Sequence, residues 1–286
     1  MSSFLFLLLT GLAYGMVYFM IAAGLTIILG VMHVFNLAHG SFYLIAAYVA
    51  FTLVGKQVNF WLALLAAVLF SIVLGILMEK FLIKRFYGRT LEQVLLTFGL
   101  IYIVSDTAKL IWGPTLKNLA VPAILNFSIP LGNISFPAYR LFIVAVGVIL
   151  AVLLWFFETR TRAGAIIRAG VDDREMVSAL GINVGRVFTY VFAFGAGLAA
   201  LSGVLGAPLT GIYTGLDTEV LVTSLIVLVI GGLGSWKGSL LSALIIGVIQ
   251  SVGGAWFPSF SMLIIFALMM VILIIRPHGL FGKEVL

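Results

Sequence analysis

The 286 residues include no cysteine, only three histidines, ten acidic residues and seven prolines. Without cysteine there is no disulfide, no thiolate metal site and no cysteine nucleophile. The histidines form no HExxH and no GxSxG occurs, so metal-assisted and serine hydrolysis lack their usual constellations. A phosphate-binding G-x-x-x-x-G-K-[ST] loop is also missing: Gly55-Lys56 is followed by Gln57, and Gly282-Lys283 by Glu284. The run GGLGSWKG, Gly231 to Gly238, departs from the dinucleotide pattern because its third required glycine falls at Lys237. The chain is therefore expected not to be an enzyme, to hold no cofactor or metal, and not to hydrolyse ATP by itself.

Charge is scarce as well. Charged residues make up 9% of the chain and hydrophobic ones 63%, whereas a soluble domain is about one quarter charged. This is the composition of a polytopic membrane protein. The formal net charge of +6 needs no nucleic acid to explain it, since nearly all the cations flank apolar spans, where they set topology. The first apolar run follows Met1-Ser2-Ser3 without a basic segment and is too long for a signal peptide, so it is read as mature structure.

Apolar runs mark the expected crossings: Phe4 to Val31, Phe42 to Val54, Trp61 to Leu77, Val94 to Trp112, Leu141 to Phe157, Phe188 to Leu205, Val220 to Ile230, Leu240 to Trp256 and Met262 to Ile275. That is about nine helices, eight to ten if the segment around Gly24 to Ser41 is re-entrant or broken, at about 20 residues per crossing. Between the fourth and fifth, Gly113 to Tyr139 carries four of the prolines and is expected to be an external loop. Pro208 to Asp217 reads as a second external turn. In the sixth span Gly195, Ala199 and Gly203 recur at four-residue spacing, which puts small residues on one packing face.

The longest polar interruption is Glu158 to Val187, ETRTRAGAIIRAGVDDREMVSALGINVGRV. Arginines 160, 162, 168, 174 and 186 assign it to the cytoplasmic side, and Asp172 to Leu180 is expected to form a short helix ended by Gly181. Counting every connection puts twelve Lys and Arg inside (80, 84, 85, 89, 160, 162, 168, 174, 186, 237, 276, 283) and three outside (56, 117, 140), with Lys109 near an outer end. The bias predicts an external N-terminus, an internal C-terminus and an odd number of crossings. The five tryptophans, 61, 112, 155, 236 and 256, fall at expected span ends, as an interfacial belt would place them.

Polar groups inside the apolar runs are few. His33 and His39 could form a ligand pair, but six residues apart on one helix they would face opposite ways, which favours two polar groups at a helix break. Asp106 could carry protons or simply pair with Lys109 three residues on. The glycine-interrupted stretches at Gly24 to Gly40 and Gly231 to Gly238 could mark a pathway lined by broken helices or could be packing glycines.

Three stretches carry a resemblance. GLTIILGVMHVFNLAHGSFYLIAAYVA resembles the N-terminal signature of the branched-chain amino acid ABC transporter permeases of the LivH type. GVDDREMVSALGINVGRV resembles their cytoplasmic loop, and IGGLGSWKGSLLSALIIGVIQS followed by RPHGLFG resembles their C-terminal signature. The resemblance covers nearly the whole chain. It implies an all-α, type II-like ABC importer permease forming a single transmembrane domain over residues 1–286, in a bacterial or archaeal inner membrane. The implied cargo is a small polar solute, branched-chain or other amino acids, with urea, amides or organic acids as the alternative within the class. A stand-alone secondary transporter or channel is the competing class and would need intramembrane acid or base relays.

The implied partners are a second permease chain of the LivM type, two ATPase subunits, an extracytoplasmic solute-binding protein and the lipid bilayer. The family's loop signature falls on Asp172, Asp173, Arg174, Ala179, Leu180, Gly181, Ile182, Asn183 and Arg186, which would dock the ATPases. Its N-terminal signature falls on Asn36, Ala38, His39 and Gly40. Asn36, His39 and Ser41 are the expected pathway residues, and Ser41 stands where many relatives carry Glu.

Overall fold

A computed structural model describes residues 2–131, 134–162, 164–165 and 181–282. Nine α-helices run through these residues: α1 (Ser2–Met32), α2 (His39–Gly55), α3 (Phe60–Phe81), α4 (Thr90–Trp112), α5 (Ala138–Arg160), α6 (Val184–Thr210), α7 (Leu216–Gly231), α8 (Trp236–Trp256) and α9 (Ser261–Ile275). Among the described residues seven helical stretches are long and apolar enough to cross a membrane, while α2 has 17 residues and α7 has 16. The protein is an all-α bundle that crosses the membrane several times.

Burial sorts the helices into two layers. The most apolar window of α1 is 89% buried and that of α6 72%, against 17% for α4 and for α5 and 6% for the final stretch containing α9. A helix apolar all round is stable in the middle of a bundle, and an apolar helix with exposed sides is stable where lipid meets it. Helix α1 packs on α8 and α6, and α6 in turn on α2 and α3.

Small residues make that centre possible. A Cβ on Gly247 of α8 would lie 2.3 Å from the Gly15 nitrogen and 2.3 Å from the Gly11 oxygen of α1, so only glycine permits this backbone approach. The expected packing face of α6 is also in contact: a Cβ on Gly195 would meet Ile28, and one on Gly203 would meet the backbone of Tyr43. Hydroxyls seal the same contacts, Ser202 donating to the Val17 carbonyl at 2.8 Å and Tyr139 to that of Leu205 at 2.9 Å.

One open alternative is decided and two expectations change. First, α1 runs unbroken through Gly24 and Gly30, whose Cβ positions are taken by Gly195 and Gly234, and the chain leaves the helix only between Met32 and His39. Second, α6 continues through Pro208 to Thr210 and ends at Gly211, with φ 74°. Proline near the last turn forfeits only one intrahelical bond, so the turn expected from it begins later. Third, the proline-rich connection contains a hairpin, β1 (Ser128–Leu131) with β2 (Ile134–Pro137), antiparallel with Ile129 opposite Phe136.

The two ends of the bundle are distinct. At one end Glu79 accepts hydrogen bonds from Thr189 at the start of α6 (2.7 Å) and from Tyr87 between α3 and α4. There too Trp236 donates to Glu158. At the opposite end Lys117 pairs backbone to backbone with Ile212, and Phe4 lies 6.2 Å from Trp256. The cation-rich connections around 84–89, 158–162, 186, 237 and 276 share the first end; Lys117 and Arg140 belong to the second.

Candidate functional site

The site begins where α1 stops. His33 takes φ 53°, a left-handed conformation that ends a helix, while its amide still bonds the Leu29 carbonyl at 3.0 Å. Irregular backbone then carries the chain to a turn at Leu37 and Ala38 that leads into His39, with His33 and Phe35 exposed and Val34 and Asn36 buried. Thr97 of α4 holds this segment: its hydroxyl accepts from the Leu37 amide at 3.2 Å. Non-helical backbone of this kind is tolerated between transmembrane helices only when protein buries it or it lines a cavity.

Of the expected pathway residues, Asn36, His39 and Ser41 are all buried, at 1%, 0% and 3% exposure. His39 opens α2 and its Nε2 lies 3.2 Å from the Ile21 carbonyl oxygen in the middle of α1. His33 is exposed at the far side of the break, so the two histidines are not a ligand pair. The Asn36 amide has no hydrogen-bond partner among the described residues, and the Ser41 hydroxyl faces the Asp217 carboxylate. That carboxylate is 1% exposed in the first turn of α7. A Cβ on Gly40 would lie 2.1 Å from the Asp217 carbonyl oxygen, so the starts of α2 and α7 touch.

Sequence reasoning placed Asp217 in an external turn and passed over Glu219. Two residues apart on a helix, their side chains face opposite sides. Asp217 turns to α2; Glu219 turns into a cavity of about 480 Å³ that also meets α1, α5, α6 and α8. Tyr14, Tyr18, Tyr43 and Tyr213 line it together with Thr10, Gln250 and Arg140. Arg140 donates through Nη1 to Thr10 at 2.7 Å and lies over the Phe6 ring at 5.4 Å from its centroid. Glu219 accepts from the Tyr213 hydroxyl. The signal available in the sequence was a carboxylate at the edge of one apolar span and an arginine at the outer end of another, positions where a charge is worth asking about.

Ser41 instead borders a second hollow of about 360 Å³, between α2, α3 and α4, walled by Phe42, Leu74, Met78 and Leu100 and almost wholly apolar. The pair expected at Asp106 and Lys109 is present at 3.1 Å on the exposed face of α4.

At the cation-rich end, Asp172, Asp173, Arg174, Ala179 and Leu180, and with them the expected helix, lie outside the described residues. Gly181 has φ 80°, and Asn183 caps α6 by accepting the Arg186 amide at 3.0 Å. Ile182 lies between them, and Arg186 is exposed. The glycine-rich return at 231–238 is a packing device: Gly231 meets Gly238, and the C-terminal segment docks on it through Leu280 to the Ile230 carbonyl at 2.8 Å and Phe281 to that of Gly231 at 3.0 Å. The two halves of the C-terminal signature are thus one piece of structure.

Comparison with known proteins places this architecture. The family described as branched-chain amino acid transport system / permease component matches residues 7–273. The chain belongs to that family. It is the permease of an ABC importer and a multi-pass protein of the cell inner membrane. The high-affinity branched-chain amino acid transport system permease protein BraD of Pseudomonas aeruginosa is 28% identical over 295 residues, covering 96% of this permease and 95% of that protein. The corresponding LivH protein of Escherichia coli is 27% identical over 308 residues, covering 98% of this chain and 96% of LivH. Among solved structures, PsaBC from Streptococcus pneumoniae in complex with Fab shares the fold: TM-score 0.52 at 12% identity, over 92% of this permease and 89% of that chain.

Proposed function

We propose that this permease imports a small polar solute, branched-chain or other amino acids, received from an extracytoplasmic solute-binding protein. In this reading it pairs with a second permease chain of the LivM type and is driven by two ATPase subunits docked on its cation-rich end. The observation that carries the reading is the convergence there of the connections at 82–89, 158–162, 181–186 and 232–235 with the C-terminal segment, tied by Glu79 to Thr189, Trp236 to Glu158 and Phe281 to Gly231. A push on any of them reaches the first turns of α6 and α8 and the last turns of α3, α5 and α7. Those helices also wall the cavity and the break, so motion of an ATPase at one end has a packed route to the other.

Asp172, Asp173, Arg174, Ala179, Leu180, Gly181, Ile182, Asn183 and Arg186 form the coupling surface in this reading. Gly181→Val puts a β-branched side chain at φ 80°, which costs about 1–2 kcal/mol, and Asp173→Lys reverses a charge on the docking surface. Both variants should insert in the membrane yet lose ATP hydrolysis stimulated by loaded binding protein. Normal stimulated hydrolysis by both, measured in reconstituted complexes, would sink the assignment.

A further inference from the structure

We infer that the cavity between Arg140 and Glu219 is a binding station, within the permease itself, for a small zwitterion of the α-amino acid type. The inference rests on the import reading and locates where the solute is held on its way.

The cavity's volume of about 480 Å³ falls within the roughly 300–1,000 Å³ of small-molecule sites. It carries one full charge of each sign, and the two do not neutralise each other: among the described residues the ion pair within 4.0 Å is Lys109 with Asp106. Each is instead steadied by a neutral hydroxyl. Thr10 occupies one donor of Arg140, and a guanidinium has five in a planar fork that suits a carboxylate. Tyr213 occupies the Oε2 oxygen of Glu219, which leaves Oε1 for an ammonium group. Val17, Leu209 and Val220 supply apolar wall to the same cavity.

This arrangement selects. A zwitterion matches both charges at once, whereas a simple anion or cation matches only one of them and binds more weakly. The cavity also adjoins the break. Tyr43 on its wall lies four residues beyond His39, and Glu219 lies two beyond Asp217, whose backbone touches Gly40. A solute held here is therefore one helical turn from the non-helical segment, and its charges act on α5 and α7 together.

The test uses the assembled importer in lipid nanodiscs without binding protein, and three probes: L-leucine, L-leucinamide, which lacks the carboxylate, and isovalerate, which lacks the ammonium. Saturation-transfer NMR reads binding. The complex should bind L-leucine about 10- to 100-fold more tightly than either of the others, the worth of one hydrogen-bonded charge contact. Arg140→Gln should abolish the preference over L-leucinamide and keep that over isovalerate. Glu219→Gln should do the reverse, and Lys117→Gln, a cation at the same end, should change neither. Equal weakening of all three probes by Arg140→Gln would mean that the arginine only ties α5 to Thr10, and would overturn the proposal. So would absence of L-leucine binding in a complex that still imports with its binding protein, and that result leaves the import reading standing. Selective binding in a complex without ATP-driven uptake would sustain the site while the import reading falls.

Discussion

Gly40 and Asp217 meet backbone against backbone: a Cβ on the glycine would lie 2.1 Å from the aspartate carbonyl oxygen and 3.1 Å from the Leu221 Cβ. The contact joins the first turn of α2 to the first turn of α7 and brings together the polar groups at the break.

Gly40→Ala should therefore displace one helix start from the other. The opposing atom is backbone and cannot rotate away, so overpacking here should cost about 1–3 kcal/mol. The purified variant should unfold at a lower temperature than the wild type in the same detergent. An unchanged melting temperature would mean that α2 and α7 are not in contact.

Gly247 and Gly254 provide a matched pair on α8. A Cβ on Gly247 would strike α1 at 2.3 Å, whereas nothing lies within 4 Å of one on Gly254. Gly247→Ala should destabilise the permease by about 1–3 kcal/mol. Gly254→Ala should be neutral or stabilising by about 0.5–1 kcal/mol, because alanine loses less entropy in a helix. Thermal unfolding of the two variants side by side checks the α1–α8 contact.

Asn36 and His39 separate a pathway role from a structural one. The Asn36 amide is buried without a partner among the described residues, while His39 is bonded to the Ile21 carbonyl. Asn36→Ala should lower uptake and leave the amount of assembled complex unchanged. His39→Ala removes a buried bond, which costs about 1–3 kcal/mol, and should lower both. Equal loss of assembled complex in the two variants would assign both residues to structure alone.

The separation of cations between the two ends predicts sidedness. Single cysteines introduced at Thr115 and Arg186 into this cysteine-free chain should react from opposite faces of the membrane, Thr115→Cys with an impermeant thiol reagent from outside. Reaction of Arg186→Cys from outside would overturn the orientation and remove the cytoplasmic assignment of the coupling surface.

What could be read without coordinates was whatever the bilayer dictates locally. Apolar length set the helices, and lysine and arginine sorted into two classes of connection. The four-residue spacing of Gly195, Ala199 and Gly203 marked a packing face. Each of these depends on a residue and its near neighbours in the chain, and among the described residues each has its counterpart in the bundle.

The tertiary structure decided the rest, because it depends on what stands opposite. Glycine carries no side chain to announce its role: Gly24 and Gly30 read equally well as breaks or as packing sites, and the bundle makes them packing sites, since Gly195 and Gly234 stand against them. The true break, at residues 33–38, is held by Thr97, some sixty residues away. Arg140 and Glu219 lie 79 positions apart in the chain, and only the packing of α5 and α7 around α1 sets them on one cavity. A charge's neighbours in the sequence tell which end of a membrane it prefers; its neighbours in space decide whether it is paired or left free for a ligand.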